Sequence, residues 1–264
     1  MHTFVIPAYQ QSAYLEKCIQ SLLTQSVKSG VIITTSTPSD FLEQIAEKYD
    51  LKYYINDKPG IANDWNFALS KATTHYATIA HQDDIYEPTY TENLLNAIND
   101  TRTENPLLVF TGYYDLVNDQ QRPVSLNSIV KKTLPFPFAF KNNIGSKFFK
   151  KLLLTFGDPI CCPTVAFNLK ALDNFSFSTE FACVLDWYAW YQLSKRKGEF
   201  CFINKKLVGH RIHLESETSN QIAQGKRRSE ELQMFQLIWG NRMAKIISWI
   251  YSLGHADNKI KVDI

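Results

Sequence analysis

Apolar positions fall into two alternating rhythms over about residues 3 to 111. Short apolar runs at Thr3 to Ile6, Val31 to Ile33, Leu51 to Ile55, Tyr76 to Ala80 and Leu107 to Thr111 read as strands, the second of them buried. Between them the spacing turns helical. The stretch from about Ser12 to Gln25 puts Tyr14, Leu15, Cys18, Ile19, Leu22 and Leu23 on one face. A second helix carries Phe41, Leu42, Ile45, Ala46 and Tyr49; Thr37 is its expected cap, with Pro38 first and Asp40 closing a capping-box-like pair. A third runs from about Ala62 to Lys71, after a loop with Pro59 and Gly60. A fourth opens at Pro88 and carries Tyr90, Leu94, Leu95 and Ile98. Strand and helix in alternation, with short connections, predict a parallel sheet wrapped by right-handed crossovers. Ligands of such sheets bind at the carboxyl ends of the strands. The positions to inspect are therefore Pro7-Ala8-Tyr9, Thr34 to Ser36, Asn56-Asp57 and His81 to Asp84.

From about residue 112 the rhythm breaks. Pro123, Pro135 and Pro137 interrupt a stretch holding Lys131-Lys132 and an aromatic run from Phe136 to Phe140. Helices are expected over Ser146 to Phe156 and Leu185 to Lys195. Loop and strand are expected over Asp158 to Phe167, a strand over Phe200 to Val208, and a polar loop over Gly209 to Thr218. The segment from about Ser219 to Leu253 reads as helical. With no repeat and no long linker, the chain reads as one compact unit with two halves, 1–111 and 112–218, and a C-terminal helical segment, 219–264.

Composition adds mostly exclusions. The 264 residues are 45% hydrophobic, 13% aromatic and 20% charged, which excludes disorder. Lys and Arg total 28 against 26 Asp and Glu, so there is no net field for nucleic acid. Five cysteines, at 18, 161, 162, 183 and 201, form no C-x-x-C, and reduced thiols in a cytosol are expected. No secretory signal is expected from the residues after Met1, and no apolar run reaches membrane-spanning length. On the C-terminal helix Trp239, Met243, Ile246, Ile247 and Ile250 lie on one side. Lys226, Arg227, Arg228, Arg242 and Lys245 lie on or near the other. Such a helix suits an anionic membrane surface, the protein's own core, or a second subunit in a homodimer.

Several chemistries lack their motifs. There is no G-x-G-x-x-G after the first strand, no phosphate loop, no G-x-S-x-G elbow and no H-E-x-x-H helix. The sharp feature is Asp83-Asp84 at the mouth of the sheet. Adjacent carboxylates repel unless a cation sits with them, and oxygen ligands suit Mg²⁺ or Mn²⁺ beside phosphates. A solvated turn before a helix is the alternative.

The first hundred residues resemble the family-2 glycosyltransferases, which have the GT-A fold. The resemblance rests on Val5-Ile-Pro-Ala-Tyr9, Tyr14-Leu15 and Ser21-Leu-Leu-Thr-Gln25, then Gly60-Ile-Ala-Asn-Asp-Trp-Asn66, then Ala80-His-Gln-Asp-Asp84 and Pro88. It implies an α/β fold with a Rossmann-like, mostly parallel sheet flanked by helices and a C-terminal helical extension. It also implies a nucleoside-diphosphate sugar donor, a Mn²⁺ or Mg²⁺ ion, and inversion at the anomeric carbon. The expected donor contacts are Pro7, Ala8, Tyr9, Ser36, Asn63, Asn66, His81, Gln82, Asp83 and Arg211. The expected metal ligands are Asp83, Asp84 and His213.

Departures are equally specific. Where the family often carries Asp-Asp-Gly-Ser, with an acidic residue that contacts the base, this chain has Thr34-Thr-Ser-Thr-Pro38. His81 occupies the first position of the D-x-D pattern, and Trp65 the position of an Arg, so a phosphate clamp must come from elsewhere. Val184-Leu-Asp-Trp187 resembles the family's acidic base motif, with Asp186 at the matching position and Leu185 in place of its first Glu. His210-Arg-Ile-His213 resembles a stretch that closes over the diphosphate, with a surface loop as the alternative. The expected activity is transfer from a UDP-sugar to a hydroxyl of a glycan or lipid-linked glycan acceptor, such as lipopolysaccharide or capsule. The location is cytoplasmic or peripheral on the inner membrane face. A nucleotidyltransferase and a non-catalytic binding module are the alternatives.

Overall fold

The computed structural model describes residues 2–100, 102–122, 142–213 and 226–253. The first half runs β1 (His2–Ala8), α1 (Leu15–Leu23), β2 (Gly30–Thr35), α2 (Asp40–Lys48), β3 (Lys52–Ile55), α3 (Ile61–Lys71), β4 (Tyr76–Ile79), β5 (Ile85–Tyr86) and α4 (Tyr90–Asn99). The second runs β6 (Pro106–Val117), β7 (Gln120–Gln121), β8 (Asn143–Ile144), α5 (Lys147–Leu153), a 3₁₀ turn at Cys162–Thr164, β9 (Val165–Asn168), α6 (Leu185–Ser194), β10 (Glu199–Arg211) and α7 (Lys226–Leu253). The Lys131-Lys132 pair, the aromatic run at 136–140 and the 214–218 end of the expected polar loop lie outside the described residues.

One sheet joins everything, in the order β3-β2-β1-β4-β9-β6-β10-β5. The strands from β3 to β4 are parallel, as the alternating rhythm predicts. β9 enters antiparallel between β4 and β6, and β6 pairs parallel with β10. Period-two alternation sorts the core onto two faces. Val5, Ile32, Ala77, Ile79 and Leu108 pack with Trp65 and Trp190 on one face. Phe4, Ile6, Ile33 and Val109 pack with Leu15, Leu42 and Leu94 on the other. Fully burying each such side chain contributes about 1.5–3 kcal/mol.

Two local expectations change. Ser39, not Thr37, caps α2, and its hydroxyl accepts from Leu42 N. The Thr37 hydroxyl instead accepts from Gln10 N at 2.7 Å, tying the end of β1 to the loop after β2. The expected polar loop from Gly209 is strand as far as Arg211, because β10 stays paired with β6 up to Leu116 through several bulges. Its polar residues remain in the strand because acidic partners face them: His210 Nδ1 lies 3.8 Å from Asp115, and Arg211 bonds Asp119.

α7 packs on the core. Met234, Phe235 and Ala244 are buried, and Phe235 meets Trp187 edge-on at 5.1 Å. Glu230 accepts from the backbone N–H groups of Ala182, Cys183 and Val184, so α7 caps the entry to α6. Gly240, at φ 75°, breaks the helix, a conformation that glycine adopts without a Cβ penalty.

Candidate active site

The carboxyl ends of β1, β2 and β4 open side by side. Pairing of Ala8 with Thr35 and of Val5 with Ile79 sets Tyr9, Ser36 and the turn at 80–84 in one row. Gln82 bridges this row. Its side chain accepts from Tyr9 N at 3.0 Å and donates to Tyr9 O at 3.1 Å. Pro7 and Ala8 are the last residues of β1, and the Tyr9 ring beyond them is 53% exposed.

After β4 the chain turns tightly, with Asp84 N donating to His81 O. The turn gathers His81, Asp83 and Asp84 so that one ligand atom from each lies within 4.8 Å of the others. Asp84 is buried, and its Oδ1 accepts from Arg211 N at 2.9 Å. Its Oδ2 has no hydrogen-bond partner, and neither does His81 Nε2. Burial drives the Asp84 carboxyl well above the usual carboxylate range. Burial likewise lowers His81 to about 4, so its imidazole stays neutral with a lone pair to offer. Burial alone would raise Asp83 too, but the hydrogen bond from His213 and the nearby His81 and His210 outweigh it and hold that carboxyl below its ordinary value. Two carboxylates and a neutral imidazole, with buried polar atoms left unpartnered, fit a divalent cation.

β10 closes over this turn. His213 Nε2 donates to Asp83 Oδ2 at 2.9 Å. Arg211, buried, donates from Nε to Asp83 O and from Nη1 to Asp119 Oδ1. Its guanidinium lies 4.3 Å from the Tyr14 ring centre, and Nη2 has no hydrogen-bond partner. For His210, burial lowers the pKa, but Asp84, Asp115 and Asp83 outweigh that and raise it.

Other expected residues are placed differently. Trp65 is core, 5.0 Å from Phe177 and 5.3 Å from His81. Asn66 clamps the Phe177 backbone, donating to its oxygen and accepting from its nitrogen. Asn63 donates to Pro59 O at the start of α3. Asp186, half-buried in the first turn of α6, accepts from Trp187 N. Its charge and that of Asp84 both raise the buried Cys162 thiol, after burial itself, so Cys162 lies within the field of both carboxylates. Tyr86 and Tyr90 hold the turn carrying Cys162, donating to Pro163 O and Thr164 O. The five cysteines form no disulfide.

Asp119, Asp115 and Asp64 join the site without having been singled out in the sequence. Asp119 had a local signal. Asn118 and Asp119, both at positive φ, form the two-residue hairpin turn between β6 and β7, which Asn and Asp favour. Asp64 looks in sequence like an ordinary acidic residue in a helix first turn.

Residues 3–175 match the model of glycosyl transferase family 2. A glycosyltransferase of Rickettsia typhi is 22% identical over 248 residues, 92% of this chain and 72% of its own. Staphylococcus aureus TarS 1-349, solved with UDP-GlcNAc, superposes with a TM-score of 0.61 at 16% identity, over 99% of this chain and 76% of that one. The mannosyltransferase PcManGT of Pyrobaculum calidifontis, solved with GDP-Man and Mn²⁺, gives 0.60 at 13% identity, over 97% and 75%. Glucosyl-3-phosphoglycerate synthase of Mycobacterium tuberculosis, solved with Mg²⁺ and UDP, gives 0.52 at 16% identity, over 84% and 76%. The fold is GT-A, and the chain belongs to the family-2 glycosyltransferases.

Proposed function

We propose that this protein is a metal-dependent, inverting glycosyltransferase that moves a sugar from a UDP-sugar to a hydroxyl of a surface-glycan acceptor. The observation that carries this reading is the His81, Asp83 and Asp84 cluster at the end of β4, braced by Arg211 and His213. Solved relatives of the same fold with UDP, UDP-GlcNAc or GDP-Man, and with Mn²⁺ or Mg²⁺, support the donor class.

Asp83, with Asp84 and with His81 or His213 beside them, would hold a Mn²⁺ or Mg²⁺ ion, which supplies positive charge against the donor diphosphate. Arg211 positions the acidic turn, and its unpartnered Nη2 is the cationic atom left for the leaving nucleotide. Pro7, Ala8, Tyr9 and Ser36 line the nucleotide side, and Gln82 fixes Tyr9. Asp186 takes the proton of the acceptor hydroxyl while that oxygen attacks the anomeric carbon. The bond to the diphosphate oxygen breaks on the opposite face, inverting the centre. Replacement of Asp186 by Asn should keep donor binding and lower transfer by about 10²-fold or more. Transfer at the wild-type rate would remove Asp186 from the base role.

The acceptor is lipid-linked in this reading, and the enzyme works at the inner membrane face. Exposed Leu237, Met243 and Ile246 share α7 with Arg242 and Lys245, and no acidic residue occurs from 232 to 253. No helix among the described residues is long and apolar enough to cross a membrane. Co-sedimentation with phosphatidylglycerol vesicles, lost in Met243→Ser/Ile246→Ser, is the expected result.

A further inference from the structure

The acidic residue expected after β2 is replaced here by hydroxyls, yet a carboxylate still reaches that place. Asp64 arrives from the first turn of α3. Its Oδ2 accepts from Ser36 Oγ at 2.9 Å, directly beyond β2. Its Oδ1 accepts from Asn56 Nδ2 at 2.8 Å, directly beyond β3. Tyr9, half exposed, stands beside Ser36 in the strand register. Asp64 is itself half-buried, so it is held firmly while still facing solvent at the strand mouth.

The chemistry of this corner is that of an acceptor. A carboxylate offers about four lone-pair positions. Two are taken by neutral donors, and among the described residues no Lys, Arg or His pairs with Asp64. A second observation points the same way. Ile32, Thr34 and Ser36 share the face of β2 that α3 covers, since Ile32 packs with Ala62 and Trp65. On that face the Thr34 hydroxyl is 1% exposed and has no hydrogen-bond partner.

We infer that Asp64 reads the nucleobase, accepting the ring N–H of a uracil- or guanine-type base beside Tyr9. Cytosine and adenine present a ring nitrogen lone pair on the corresponding edge, which a carboxylate repels. The inference rests on the nucleotide-sugar reading of this site and names its base class. The carboxylate of the base corner has moved from the strand end to the neighbouring helix, and Ser36 orients it.

Titration calorimetry of the whole chain with Mn²⁺ tests this with UDP, GDP, CDP and ADP. The wild type should favour UDP or GDP over CDP and ADP by about 10-fold or more, the scale of one hydrogen bond to a charged group. Asp64→Asn should lose about 10-fold for the favoured nucleotide and leave CDP unchanged or tighter, since an amide can donate to the cytosine ring nitrogen. Affinity for Mn²⁺ with pyrophosphate should stay the same. Ser36→Ala should give a smaller loss of the same sign, and it carries the test if the first variant does not fold. A melting temperature that falls while the base preference stays fixed would reduce Asp64 to a loop anchor and overturn the inference. Equal wild-type affinity for UDP, GDP and CDP would overturn it as well while sparing the nucleotide-sugar reading. Binding of none of the four would overturn that reading and the inference with it.

Discussion

The two rims of the strand mouth are built from opposite materials. At the ends of β1, β2 and β3, single hydrogen bonds join Asp64 to Ser36 and to the buried Asn56, while Tyr9, Ser36 and Asp64 remain partly open to solvent. At the ends of β4 and β10, buried Asp84 and Arg211 interlock with Asp83, His81 and His213. The first rim can exchange its partners with a ligand at small cost. In the second, charged groups crowd together under burial, so removing one leaves its neighbours less compensated, and an uncompensated buried charge is strongly destabilising. The proposed function gives recognition by hydrogen bonding to the first rim, and binding of a cation and a diphosphate to the second.

That contrast is open to measurement, beginning with its largest effect. Replacing Arg211 by Ala should cost about 3–5 kcal/mol in urea unfolding, because Asp83 O, the Asp119 carboxylate and the Tyr14 ring lose their common partner and the buried Asp84 loses its nearby cation, though not its hydrogen bond from the backbone of residue 211. Ser36→Ala, on the other rim, should cost only about 0.5–1.5 kcal/mol, because its one hydrogen bond to the Asp64 carboxylate is partly open to water. Equal losses would erase the distinction between the rims. The exposed pair between Lys17 and Asp119, at the outer edge of the charged rim, gives the smallest effect. Lys17→Ala should cost less than about 1 kcal/mol and fade further at high salt.

Acid supplies a separate check at the opposite ends of the strands. His2 is buried at the start of β1, between the Ser29 and Thr78 hydroxyls, and burial lowers it to about 3. Unfolded, it takes a proton near its ordinary 6.5; folded, it does so only near 3. Between those values the unfolded chain binds the extra proton. Its contribution to stability is therefore complete above pH 6.5 and falls as pH drops through the window, by at most ~1.4 kcal/mol per pH unit. His2→Gln should flatten the dependence of stability on pH between 4 and 6 by up to one proton. An unchanged slope would mean that His2 is protonated in the fold.

The first half was legible because β1, β2 and β4 are buried on both faces and its helices are amphipathic, so each of these elements announces its period; β3, at the sheet edge, is only partly buried. The turn at 80–84 was legible for the same reason: β4 is a clean apolar run that stops at His81. Less could be read where pairing overrides local composition. His210 and Arg211 look like loop residues, and only their partners on β6 and its hairpin keep them in a strand. Asp64 went unremarked because its role depends on Ser36, 28 positions away and brought close only by the crossover from β2 to α3. Trp65 and Asn66 lie in the motif that carries the resemblance, yet their side chains hold the Phe177 segment, a contact 111 positions away for Asn66 that no local pattern encodes.

Whether Asp83 holds a cation against a nucleoside diphosphate can be read in a thermal-shift comparison of wild type and Asp83→Asn with UDP, GDP, dTDP and CMP, each with and without Mn²⁺. A ligand at 100 times its Kd stabilises by ~2.7 kcal/mol, a shift of several degrees for a chain of this size. We expect one nucleoside diphosphate to stabilise the wild type only when Mn²⁺ is present, and Asp83→Asn to lose the shift. Stabilisation that ignores Mn²⁺ or survives in Asp83→Asn, or no shift with any nucleotide, would contradict this expectation.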